Sequence, residues 1–93
     1  MRIGILTVEI FMSNNQNLKQ KRMILKSLKE KLRNNFNISL LEVDNHDKWQ
    51  RATLAIAALG TGNAAVDGCF ANIIDFLERN NKIQLIDYRM EII

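Results

Sequence analysis

The segment Ser13-Asn14-Asn15-Gln16-Asn17-Leu18-Lys19-Gln20-Lys21-Arg22-Met23-Ile24-Leu25-Lys26-Ser27-Leu28 decides how this chain folds. Its opening run, Ser13 to Asn17, is wholly polar and is the strongest loop signal in the sequence. Beyond it, Leu18, Ile24, Leu25, Leu28, Leu32 and Phe36 recur at helical spacing. At about 100° per residue they fill an arc of roughly 120°, the apolar stripe of an amphipathic helix. Asn17 is placed to cap that helix, and Gln20 three positions on completes a capping-box pattern. Asn34-Asn35 and Asn37 end it.

Upstream, Arg2–Met12 is rich in Ile, Leu, Val and Thr and reads as a strand with apolar residues on both faces, hence a central one. Downstream, Ile38–Asp44 and Arg51–Leu59 read as two strands joined by the polar turn Asn45–Gln50, which implies an antiparallel hairpin. Gly60-Thr61-Gly62-Asn63 breaks the chain again, with Asn63 as the expected cap of a second helix. Val66, Cys69, Phe70, Ile73, Phe76 and Leu77 form the buried stripe of that helix. Asn80-Asn81 ends it, and Ile83–Ile92 supplies the last strand.

The order β-α-β-β-α-β with right-handed crossovers predicts an α+β, ferredoxin-like sandwich: a four-stranded antiparallel sheet of order 4-1-3-2 with both helices on one face. The open face then carries apolar side chains of the central strands, Ile3 and Ile5 or Leu6 and Val8, so self-association as a homodimer is expected. With 93 residues, 47% of them hydrophobic and 25% charged, the expectation is one domain, 1–93, around one core.

Composition narrows the function classes. One cysteine (Cys69) and one histidine (His46) give no internal disulfide and a poor basis for a metal site, so neither metal nor cofactor is expected. A reducing, cytoplasmic setting fits. Thr7 and Glu9 interrupt the N-terminal apolar stretch, which argues against a signal peptide, and no apolar run approaches membrane-spanning length. The net charge of +3 is modest but unevenly distributed. Residues 1–36 hold eight basic and two acidic residues, and residues 37–93 hold five basic and eight acidic. Such asymmetry points to a polyanion or an acidic partner surface.

Leu18-Lys19-Gln20-Lys21-Arg22 and Leu25-Lys26-Ser27-Leu28, with Phe36-Asn37, Glu42-Val43 and Trp49-Gln50-Arg51-Ala52, carry a resemblance over essentially the whole chain. Together they resemble the YlxP-like family, a bacterial family of unknown function. The resemblance implies a small ferredoxin-like cytoplasmic protein, often encoded beside translation and ribosome-maturation factors, and it implies no activity. Asn17 stands where the family usually has Ser, and the two cap equally well.

Lys19, Arg22, Lys26, Lys29 and Arg33 fall within an arc of about 80° and form a cationic stripe beside the apolar face of the first helix. The ordinary role of such a stripe is a solvated surface. Two details favour an anion site. Lys19, Lys21 and Arg22 crowd the helix N-terminus, where the macrodipole is already positive and carboxylates are preferred, so backbone amides and cations together would suit a phosphate. Lys21 falls inside the apolar arc, so it must snorkel out or pair with an acid such as Glu9 or Glu42. The candidate anion- or RNA-binding residues are therefore Lys19, Lys21, Arg22, Lys26, Lys29 and Arg33.

The hairpin, with His46, Trp49 and Arg51, is a second candidate, as an interface. His46 beside Asp47 lacks a nucleophile and oxyanion donors, so no catalytic constellation can be assembled. Gly60-x-Gly62 lacks the remaining residues of a phosphate loop. Fold analogies remove further readings. The third strand has no aromatic on which a base could stack, metallochaperones of this shape need paired cysteines, and acylphosphatases need an arginine in the first loop. Two expectations remain. One is a non-catalytic protein binding ribosomal or other structured RNA through phosphates. The other is a homodimeric protein-protein or small-anion-binding regulatory module using the open sheet face and the Trp49 hairpin.

Overall fold

The computed structural model describes residues 1–93. Six elements follow in the order β1 (Arg2–Phe11), α1 (Leu18–Asn35), β2 (Ser39–Asp44), β3 (Arg51–Gly60), α2 (Asn63–Glu78) and β4 (Gln84–Ile92). The strands form one antiparallel sheet of order β2-β3-β1-β4, with both helices on one face, as the element order predicts. No peptide bond is cis.

Alternation along β1 sets the layers. Gly4, Leu6, Val8 and Ile10 point under the helices and are buried, while Ile5, Thr7, Glu9 and Phe11 face the other way and are only half-buried. The register pairs Leu6 with Ile56, Val8 with Leu54 and Ile10 with Ala52, so the two central strands present one apolar floor. Leu25, Leu28 and Leu32 of α1 and Val66, Phe70, Ile73 and Leu77 of α2 close it from above in a single cluster of 17 buried apolar residues. Each fully buried Val, Leu, Ile, Phe or Met side chain among them contributes about 1.5–3 kcal/mol. Phe36 and Phe76 meet edge to face, with centroids 5.8 Å apart, and link the two helices.

Local chemistry fixes the element ends. The extended Asn17 accepts the Gln20 N–H through its side chain at 2.9 Å, while Gln20 Oε1 accepts the Gln16 N–H at 2.8 Å. The capping box therefore closes on the residue before the cap rather than on the cap itself. At α2 the expected cap is displaced. Gly62 takes the capping position with no side-chain bond, and Asn63 is the first helical residue. The Asn63 side chain instead accepts from Arg2 Nε at 2.8 Å, tying α2 to the start of β1.

The open face is mixed rather than uniformly apolar. Ile3 and Ile5 lie there, joined by Leu59 and Ala57 opposite them, but Thr7, Glu9, Thr53 and Arg51 occupy the other end. Hydrophobic alternation in β1 is complete only on the helix side.

Gly4 determines how deeply α2 sits. A Cβ at this position would lie 2.7 Å from Phe70 Cε2 and would collide with a Val66 methyl group. Gly4→Ala is therefore expected to lower stability by about 1–3 kcal/mol, the usual range for overpacking a filled core. A reduced midpoint in urea at unchanged m-value would show it.

Candidate functional site

The N-terminal turn of α1 carries a charge in the core. Lys21 is 2% exposed and sits among Leu25, Leu28 and Leu32 on the buried face of the helix. Its ammonium donates to Asn45 O at 2.6 Å and to Lys48 O at 2.8 Å, and lies 2.9 Å from Glu42 Oε2. Oε2 is buried without an aligned hydrogen-bond donor, so its attraction to Lys21 is one of charge more than of hydrogen-bond geometry. A lysine can be buried only when its donors and its charge are both met, and here two carbonyls and one carboxylate of the β2–β3 hairpin meet them.

Of the two acids expected to pair with Lys21, Glu42 takes the role. Glu9 is engaged on the open face, where it accepts from Thr53 Oγ1 at 2.8 Å and lies 3.9 Å from Arg51 Nη2.

This removes Lys21 from the cationic surface. The cluster of Lys19, Lys21 and Arg22 at the helix N-terminus is not brought together as a site. Lys21 points into the protein, and the Asn17 side chain takes up the Gln20 amide. The other five cations do form one surface. Lys19, Arg22, Lys26 and Arg33 are exposed and Lys29 is half-buried. None of them makes an ion pair within the chain; the pairs formed are Lys21–Glu42, Arg51–Glu9 and Arg79–Asp75.

The stripe overhangs the free edge of β2. Arg33 Nη2 reaches Leu40 O at 3.4 Å, and Arg22, Lys26, Lys29 and Arg33 line an open groove of about 300 Å³ with Leu25, Glu30 and Glu42. From Lys19 to Arg33 the stripe runs about 21 Å along the axis.

The hairpin is ordered by groups that the sequence does not single out. Asn45 adopts a left-handed conformation (φ 63°), where Asn is among the residues best tolerated. Its side chain donates to Thr53 Oγ1 at 2.9 Å. Asn15, expected only as part of a polar connector, is buried and donates to Trp49 O at 3.0 Å. His46 is exposed and its Nε2 lies 3.0 Å from Glu42 O, so it forms no pair with Asp47. Trp49 is 48% exposed, and Arg51 points towards Glu9. Trp49 and Arg51 line one shallow depression with Asp47, Lys48 and Gln50, and His46 is not part of it.

A family model described as "Protein of unknown function (DUF503)" matches residues 3–90. The chain belongs to that family. It is also similar to "Uncharacterized protein YlxP" of Bacillus subtilis (strain 168), with 28% identity over 89 residues, covering 96% of this chain and 97% of that protein. Neither description names an activity, so function in this DUF503 chain has to be argued from its surfaces.

Two other features bear on chemistry. Cys69 is half-buried against the core, and burial pushes its thiol above the ordinary range, which lowers the thiolate fraction and its nucleophilicity at neutral pH. No three His, Cys, Asp or Glu side chains gather to hold a metal ion, and no helix is long and apolar enough to cross a membrane.

The Lys21 clamp gives a direct stability test. Lys21→Met keeps most of the stem's packing but leaves the Glu42 carboxylate without its cation and two carbonyls without a donor. The expected loss is about 3–5 kcal/mol, measured by urea denaturation. Adding Glu42→Gln should recover part of it, because the stranded charge is then gone.

Proposed function

We propose that this protein is a non-catalytic binding protein whose first helix contacts structured RNA, ribosomal RNA included, through its phosphates. A cytoplasmic location follows from that partner. The observation that carries the reading is the unpaired state of the stripe. Lys19, Arg22, Lys26, Lys29 and Arg33 share one face of the helix and none forms an ion pair within the chain, although Glu30 and Glu42 also line the groove beside them. Surface cations with no internal partner cost little when solvated, but aligned on one face they produce a field that concentrates polyanions.

A rigid spacing of cations suits a phosphate backbone. The third strand, with no aromatic side chain, offers no stacking platform for bases. Binding of this kind is salt-dependent and largely indifferent to sequence, because phosphates position a protein without specifying bases.

The protein-interaction reading keeps one supporting observation, the exposed Trp49 beside Arg51 at the hairpin. It ranks second because the open sheet face near that hairpin is occupied by the Glu9, Thr53 and Arg51 network rather than by an apolar patch.

The test is retention of ribosomal RNA on a filter across a salt series. Each phosphate neutralised contributes about −0.7 to −0.9 to the slope of log affinity against log salt. Arg22→Glu with Lys26→Glu should flatten the slope by about two contacts and weaken binding at low salt at least tenfold, with the far-ultraviolet spectrum unchanged. Wild-type protein that is not retained at low salt, or a double variant that binds as well as wild type, sinks the reading.

A further inference from the structure

The sheet has two free edges, and only one of them is covered. The edge of β2 lies beneath the α1 stripe, whose Arg33 reaches Leu40 O. The edge of β4 has no such cover. Its nine residues, Gln84–Ile92, include seven that are exposed and none that is buried, and the segment contains neither proline nor lysine. Long edges of this kind are normally blunted by those residues or by a covering element, because unpaired N–H and C=O groups recruit another strand. One irregularity interrupts this edge: Glu9 pairs with Asp87 and Ile10 with Leu85, so Ile86 of β4 is bulged out of the ladder, while Asp87–Ile92 runs in unbroken register.

The outward-facing groups can be identified. The Ile93 N–H donates to Ile3 O at 2.8 Å, so the alternation of an antiparallel ladder turns Glu91, Arg89 and Asp87 towards β1. Met90 and Tyr88 then turn their backbone groups outward. The Tyr88 N–H agrees with this assignment, since it donates to the side chain of its own neighbour, Asp87 Oδ1, at 2.8 Å.

The side chains divide just as cleanly. Tyr88 and Met90, aligned with Val8 and Leu6, lie on the helix side and are 50% and 46% exposed. Asp87 and Arg89, aligned with Glu9 and Thr7, lie on the open side, and neither has an ion-pair partner in the chain.

We infer that β4 is a homodimer edge, on which the β4 of a second copy pairs antiparallel about a dyad at Tyr88. The segment is self-complementary in that register. Asp87 of each copy stands opposite Arg89 of the other, so two ion pairs form on the open side. The two Tyr88 rings meet on the helix side, and the two Tyr88 residues exchange both backbone hydrogen bonds. The Tyr88 N–H passes from Asp87 to the carbonyl of the second copy, which releases the carboxylate for the guanidinium.

Neighbouring registers are worse. A dyad at Arg89 sets arginine against arginine and brings together backbone groups already committed to β1. A dyad at Met90 pairs Arg89 with Glu91 but separates the two Tyr88 rings and leaves both Asp87 carboxylates without a cation. The assembly closes after two chains, because the β4 edge is consumed and the β2 edges remain under α1.

Sedimentation velocity in the micromolar range tests this. Wild type is expected to sediment as a dimer, Arg89→Asp as a monomer, and the swap Asp87→Arg with Arg89→Asp as a dimer again, since the swap restores opposite charges across the dyad. Should Arg89→Asp lose its fold, Tyr88→Lys, which changes only an outward side chain on the edge, is expected to be monomeric in its place. A monomeric wild type overturns the inference. So does a dimer that survives the reversal or the lysine, as a dimer through the open face would, and so does a folded swap variant that stays monomeric.

Discussion

The ammonium of Lys21 pins the start of α1 to the β2–β3 hairpin, and the exposed chemistry of the molecule depends on how that helix is held. Leu25, Leu28 and Leu32 decide which face of the helix is turned to the sheet. Hydrogen bonds to Asn45 O and Lys48 O, with the charge of Glu42, are directional and allow one orientation. A turn of one residue, about 100°, would carry stripe cations into the core. The clamp also reaches further than α1. Asn45 is bonded to Thr53, and Thr53 to Glu9, so a single polar chain runs from the helix through the hairpin and β3 to β1. Partly satisfied polar groups at such depth would be costly, which is why one member cannot be altered without stranding another.

Much of this was legible in the sequence, and the exceptions have physical causes. The element order, the sheet order and the buried stripes of both helices follow from periodicity, because Leu25, Leu28 and Leu32 or Val66, Phe70, Ile73 and Leu77 have no other way to be buried together. Helical phase also exposes Lys21 as an anomaly that must snorkel out or pair with an acid such as Glu9 or Glu42. It cannot choose between them, since the choice depends on the bulged end of β2, where the register shifts between Glu42 and Asp44. The two backbone carbonyls were invisible for a similar reason. Which carbonyl a turn presents is set by dihedral angles such as the left-handed Asn45, and residue type only biases those angles. Asn15 and Gly4 were missed because their roles lie in contacts distant in sequence, with Trp49 and with Phe70.

The open face is only partly apolar. Ile3 and Ile5 lie on it, as one of the two alternations predicts, but Thr7 and Glu9 occupy the same face two and three pleats along. There Glu9 meets Thr53 and Arg51 of β3, while Thr7 stands opposite Ala55 and Phe11 opposite Arg51, so the face is mixed rather than one apolar patch. Ile3, Leu59 and Leu41 are exposed apolar side chains of that face. The β4 edge is different, because unpaired backbone groups, exposed Tyr88 and Met90, and complementary Asp87 and Arg89 coincide on one short segment.

Joining two copies at β4 has a consequence for the cationic stripes. A dyad between the two β4 strands gives one eight-stranded sheet with the β2 edges outermost. Strands about 4.8 Å apart put those edges, and the stripes above them, about 34 Å from each other. That is several times the Debye length of about 8 Å at physiological ionic strength, so the stripes do not reinforce one another's field. Sheet twist of about 20–25° per strand also turns them through roughly 150°, so they are not coplanar. A dimer therefore offers two separate, splayed cationic ridges rather than one broad basic platform. A short helical stem can lie along only one of them, whereas a folded RNA large enough to curve around the sheet can engage both, with the second contact strengthened by effective concentration rather than by any new interaction.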